Sequence, residues 1–196
     1  MKTLLRIVLI VVLMMLITSC ASRYLPVGGE GLMVVNDAYL YQDNKAEVVA
    51  QNRYWVREPQ NLNDYFTTFY VTVKNRSGKK LDVQSSDFAL LDQDGNQSDP
   101  LSVDQIENIL LHNELQYLVI KNIEEQDDRK MVTINDQTDT LEQWRRAKRN
   151  LISDSFTFGD IFPNAKRTGY LFFPKVNIKN DELTLIYKTQ QMKFRR

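Results

Sequence analysis

YFTTFYVTVKN, residues 65–75, carries the alternation that decides the fold. Phe69, Val71 and Val73 fall on one side of an extended chain, with Tyr70, Thr72 and Lys74 on the other. Successive side chains of a strand point to opposite faces, so this stretch is a half-buried strand. Asn75 to Gly78 (NRSG) supplies turn residues, and Leu81-Asp82-Val83 follows as a short strand. Upstream, GLMVVNDAYLY (31–41) is rich in β-formers, and EVVAQNRYWVRE (47–58) sets Val48, Ala50, Tyr54 and Val56 at period-two spacing. Downstream, DFALLDQDGNQSD (87–99) reads as a hairpin, with Phe88 to Leu91 as one arm and Asp94-Gly95 at the tip. TGYLFFPK (168–175) and DELTLIYKT (181–189) are two further strands, and Pro174 belongs at a strand end or edge because it cannot donate to a ladder.

Between about 102 and 153 the chemistry turns helical. Ser102-Val103-Asp104-Gln105 has capping-box form, and Val103, Ile106, Ile109 and Leu110 follow at helical spacing. Asp139-Thr140-Leu141-Glu142 reads as the start of a second helix, with Leu141, Trp144, Leu151 and Ile152 on one side. Tyr117 to Ile120, between the two, fits strand or helix. The expectation is a β-sandwich of about seven strands interrupted by a mainly helical insertion.

The N-terminus has a different logic. Lys2 and Arg6 precede an unbroken apolar run of 11 residues, Ile7 to Ile17. A bilayer-spanning helix needs about 20 residues, whereas a signal h-region needs about 7–15 followed by small residues. Ile17-Thr18-Ser19-Cys20 resembles the lipobox of bacterial lipoproteins, and Cys20 is the only cysteine in the chain. The resemblance implies a signal peptide at 1–19, cleavage between Ser19 and Cys20, a diacylglyceryl group on the Cys20 sulfur, and a membrane-anchored mature protein. Two or three acyl chains hold a protein to a membrane stably where one does not. Ala21 stands where an Asp commonly signals inner-membrane retention, so the expected address is the cell envelope, and the outer membrane in a Gram-negative host. Residues 20–31, with Pro26, Gly28, Gly29 and Gly31, form a lipidated tether, and residues 32–196 form the domain.

The stretches YFTTFYVTVKNRSGKKLDV, SSDFALLDQDG, RTGYLFFPK and ELTLIYK, in this order, resemble an uncharacterised family of small bacterial lipoproteins and secreted antigens. The shared motifs are Val71-x-Val73-x-Asn75, Phe88-x-Leu90-x-Asp92-x-x-Gly95 and Gly169-Tyr170-Leu171-x-Phe173. The resemblance covers about 32–101 and 154–190 and implies an immunoglobulin-like β-sandwich. It carries over neither catalytic residues nor cofactors, and the 102–153 segment departs from it.

Composition narrows function. The whole chain has formal charge zero, and without Lys2 and Arg6 the mature part carries 23 basic against 25 acidic side chains. Nucleic acid as the partner would call for a basic excess. Asp92, Asp94 and Asn96 suggest a calcium loop, but counted from Asp92 glycine stands at position four and Val103 at position twelve, against six and an acid in an EF-hand. His112 is the only histidine, which leaves a Ser or Cys nucleophile and a zinc site short of partners. Glu124-Glu125 and Asp127-Asp128 could serve a glycan hydrolase but sit in a polar run. Gly28-Gly29-Glu30-Gly31 has no strand before it and fails as a phosphate loop. Arg145, Arg146, Lys148 and Arg149 form a basic cluster suited to anionic headgroups, lipopolysaccharide phosphates or an acidic partner. The aromatics Tyr54-Trp55, Tyr65-Phe66, Phe69-Tyr70, Tyr170 and Phe172-Phe173 fill a core or offer a recognition patch. These features lead to a non-enzymatic module, without cofactor or metal, that binds an envelope protein or stabilises an assembly. A small-ligand carrier or sensor, with a pocket between sandwich and helices, is the alternative.

Overall fold

The computed structural model describes residues 23–28, 33–111 and 134–196. In chain order the strands are β1 (Leu25–Pro26), β2 (Met33–Val35), β3 (Ala38–Gln42), β4 (Ala46–Asn52), β5 (Phe66–Asn75), β6 (Leu81–Val83), β7 (Phe88–Asp92), β8 (Gln97–Ser98), β9 (Gly159–Ile161), β10 (Lys166–Pro174), β11 (Glu182–Tyr187) and β12 (Gln190–Arg195). A short α1 (Leu62–Tyr65) precedes β5, and α2 (103–111) and α3 (Ile134–Asp154) lie between β8 and β9. Two five-stranded antiparallel sheets, β1-β12-β11-β7-β8 and β10-β5-β4-β3-β2, pack face to face, and β6 pairs with β9 beside them. The protein is mainly β and sandwich-like. Among the described residues there are twelve strands rather than about seven, because β1, β8 and β9 are too short to leave a periodic trace, β2 and β3 share one stretch of β-formers, and no turn signal sets β12 apart from β11.

Alternation places the main core. Phe69, Val71 and Val73 of β5, with Val48 and Ala50 of β4, meet Leu183 and Leu185 of β11 and Phe194 of β12. Lys74, Thr72 and Tyr70 remain partly exposed on the opposite side, as expected. β10 is different: Gly169 to Phe173 are all buried. Leu171 and Phe173 enter the sandwich, while Tyr170 and Phe172 enter a second core with Trp55, Leu62, Phe66, Ile106, Leu110 and Leu151. The helices therefore form a third layer over the outer face of β10 and β5. Both ends of the excursion are fastened to β10, because the Leu101 N–H donates to the Phe172 carbonyl and the Phe156 N–H to the Tyr170 carbonyl, each at 2.8 Å. This also covers an edge strand whose unpaired backbone would otherwise invite association. Pro174 ends that strand.

The Ser102 capping box is present. The Gln105 N–H donates to Ser102 Oγ at 3.3 Å, and the Ser102 N–H donates to Gln105 Oε1 at 2.9 Å. S102A should cost about 1 kcal/mol, the usual worth of an N-cap, measured as a lowered urea midpoint. Helix α3 begins at Ile134, earlier than the Asp139 start. An i,i+3 spacing also joins neighbours on a helix surface, so Asp139 and Glu142 do not by themselves mark a terminus.

Two local expectations change. Asn36 and Asp37 have φ of 49° and 61°, the left-handed pair of a two-residue hairpin turn, and split 31–41 into β2 and β3. The period-two reading of 47–58 fails after Asn52. There the Asn52 side chain donates to the Thr68 carbonyl at 2.9 Å, and the chain leaves the sheet. The Asn63 amide then takes the place of a strand partner, accepting from the Trp55 N–H at 2.9 Å and donating to its carbonyl at 2.7 Å. Trp55 is thus 2% exposed, whereas Tyr54 is 36% and Val56 76% exposed, the reverse of the expected phase.

Candidate functional site

Cys20, Ser19 and the rest of the lipobox lie outside the described residues, as do His112, Glu124-Glu125, Asp127-Asp128 and Gly29 to Gly31. No helix among the described residues is long and apolar enough to cross a membrane. Nor do the described residues contain a cluster of three or more His, Cys, Asp or Glu that could hold a metal.

The Asp92 loop is a hairpin turn, with Leu90 and Leu91 opposite Ser98 and Gln97 and Gly95 at φ 83°. Asp92 Oδ2 accepts from Asn96 Nδ2 at 2.9 Å, and Oδ1 accepts from the Asn96 and Asp94 N–H groups at 2.8 and 3.0 Å. The Asn96 side chain first, then those backbone donors, hold this carboxyl below its ordinary pKa of 3.8. Its oxygens serve the turn rather than a cation.

The basic cluster on α3 divides. Lys148 Nζ pairs with Glu107 of α2 at 2.9 Å, and Arg146 pairs with Glu58 at 3.4 Å. These two charges tie α3 to its neighbours, while Arg145 and Arg149 are exposed. The four do not act as one uncommitted patch.

What folding does bring together is a cleft of about 350 Å³ on the outer face of the second sheet. Its floor is set by register: Gln51 of β4 lies opposite Tyr70 of β5, and Tyr70 opposite Tyr170 of β10. The two tyrosine rings meet edge-on at 4.9 Å, and Trp55 meets Tyr170 at 5.2 Å. Arg53, just beyond the end of β4, lays its guanidinium over the Tyr70 ring, 5.0 Å from the centroid. Across the cleft, Asp154 at the end of α3 takes Arg57 as a fork, Nε to Oδ2 at 3.2 Å and Nη1 to Oδ1 at 3.4 Å. Thr72 and Thr168 join hydroxyls at 3.0 Å on the same face. Burial raises the Tyr170 phenol above its ordinary value, with Arg53 opposing, so it stays a neutral donor to the Tyr54 carbonyl.

The charges sum in a useful way. Among the described residues Asp154 is the one carboxylate lining the cleft, and Arg57 neutralises it. Arg53 has no carboxylate partner among the described residues. A guanidinium stacked on a tyrosine keeps its N–H edge free for bidentate contact with a carboxylate or phosphate. The buried Trp55 indole N–H is also without a partner among the described residues. The sequence shows these residues only as scattered aromatics, and Arg53 and Arg57 carry no signal without the register.

A second groove, about 450 Å³, lies where the helical excursion leaves and rejoins the sandwich, between Leu101, Val103, Ile152, Phe156 and Phe158. Comparison with family models, curated proteins and solved structures gave no match.

Proposed function

We propose that this chain is a non-enzymatic envelope lipoprotein, anchored through Cys20, whose domain binds a partner protein at the Arg53–Tyr70–Tyr170 cleft. The reading takes the sandwich as immunoglobulin-like, with the outer membrane as its address in a Gram-negative host. Its support at the anchor is the lipobox Ile17-Thr18-Ser19-Cys20. The observation that carries the binding role is the Arg53 guanidinium, without a carboxylate partner among the described residues and stacked on Tyr70 beside edge-packed aromatics. Aromatic and arginine side chains in partly desolvated clefts are the usual hot spots of protein interfaces. An acidic side chain on the partner would complete the arrangement.

A photocrosslinking residue in place of Val56, which lines the cleft, tests this in cells making the protein. A discrete adduct is expected, lost when R53E is added. No adduct, or one equally strong with R53E, would end this reading. A small-ligand carrier is the second reading, favoured by the 450 Å³ apolar groove, a volume within the range of ligand pockets.

A further inference from the structure

We propose that the β2 edge of the second sheet rests on the bilayer surface at headgroup level. This inference depends on the lipid anchor at Cys20 and adds the orientation of the domain to it.

Three observations place the membrane there. First, the chain is fixed close to the anchor. Arg23 pairs with Asp37, in the turn between β2 and β3, at 2.7 Å, and the Tyr24 N–H donates to Asn52 Oδ1 at 3.1 Å. Two residues, Ala21 and Ser22, separate Cys20 from Arg23, so the backbone of the anchoring cysteine can lie no more than about 11 Å of extended chain from that of Arg23. Second, the hairpin is apolar where it is exposed. Met33, Val34 and Val35 of β2 are 56%, 45% and 49% exposed. Register places Met33 beside Leu40 and Leu40 beside Val49, so one row of the outer face carries three apolar residues in succession. Third, the rest of the sheet is turned to other work. The helical layer and the Arg53 cleft lie over β5 and β10, and β10 is four strand spacings, about 19 Å, from β2. With the β2 edge on the membrane, the cleft opens sideways, on the same face as Leu40 and Val49 but at the far end of the sheet from the bilayer. The free backbone groups of an edge strand cannot enter hydrocarbon unpaired, which sets the depth at the wet headgroup region.

The lipidated protein in phosphatidylcholine vesicles provides the test. Acylated Cys20 has no thiol, so M33C carries a single site for an environment-sensitive fluorophore. F162C, on the exposed turn beyond β9, is the control. The expected result is a blue shift at 33 on incorporation, with quenching by nitroxides at headgroup depth and neither change at 162. A protein that floats with the vesicles while position 33 stays fully aqueous overturns the orientation and leaves the anchor standing. A blue shift that vanishes at low protein-to-lipid ratio assigns the edge to a second copy and overturns it too. Thiol labelling of the unsubstituted protein means a free Cys20 sulfur, which removes the anchor and this inference with it.

Discussion

F194A should destabilise the protein by about 4 kcal/mol, within the range found when a buried phenylalanine is cut to alanine. Phe194 is fully buried on β12, the strand between β1 and β11 in the first sheet. Its ring meets Tyr39 at 5.1 Å and Phe69 at 5.0 Å, both edge-on and both from the opposite sheet. It therefore joins the two layers at one point. Removing it leaves a void that neither sheet can close without shifting its partners. For a domain of this size the loss corresponds to a melting temperature lower by about 8–16 °C. Urea unfolding of the mature chain should show the midpoint falling with an unchanged slope. K193A, at the exposed neighbouring position, should stay within about 0.5 kcal/mol. An F194A midpoint equal to that of K193A would mean that β12 is not part of the core.

The same strand shows where the sequence ran out. β5 was legible because one of its faces is apolar and the other polar along much of its length. β12 has a comparable pattern in Met192 and Phe194 between Gln191, Lys193 and Arg195, but nothing upstream announces a turn. The hairpin from β11 turns at Lys188, which takes a left-handed φ of 55° without being glycine or asparagine. A bulky residue there is held by its surroundings, including its N–H bond to the Asp87 carbonyl at 2.7 Å, so tertiary context overrides local preference. β2 and β3 merged for a milder reason, since Asn36-Asp37 lacks the glycine that usually marks this turn. The helical excursion was legible from its capping box and spacing. The fact that both its ends bond to β10 was not, because that depends on pairs about 15 to 70 residues apart along the chain.

The cleft was hidden for a related reason. Arg53, Tyr70 and Tyr170 lie on three segments, and only the β4–β5–β10 register makes them neighbours. The basic residues of α3 were conspicuous because four of them fall within five positions, yet Arg146 and Lys148 are spent on Glu58 and Glu107. Local spacing reveals helix faces and strand faces. It says little about which charges remain free after packing.

G169A is the second large effect, about 3 kcal/mol, and it acts through a contact rather than a cavity. A Cβ at position 169 would sit 2.6 Å from the Phe156 nitrogen, 2.7 Å from its Cα and 2.7 Å from the Ser155 carbonyl carbon. All three are backbone atoms, so no side chain can swing aside. This is the point where α3 ends and the chain recrosses β10, with Ser155 bridged to Tyr170 and the Phe156 N–H bonded to the Tyr170 carbonyl. Relief requires the two segments to separate, which lengthens that bond and displaces Phe156 from Phe88 and Phe158 in the main core. Overpacking of this kind costs about 1–3 kcal/mol, and an unyielding backbone contact belongs at the upper end. G78A provides the contrast: nothing lies within 4 Å of its added Cβ, and the expected change is zero to a gain of about 1 kcal/mol. Because Tyr170 forms the floor of the cleft, G169A should also weaken the Val56 crosslink at temperatures where the protein remains folded, which G78A should not. Equal urea midpoints for the two variants would show that the return of α3 onto β10 is looser than the 2.8 Å bond implies.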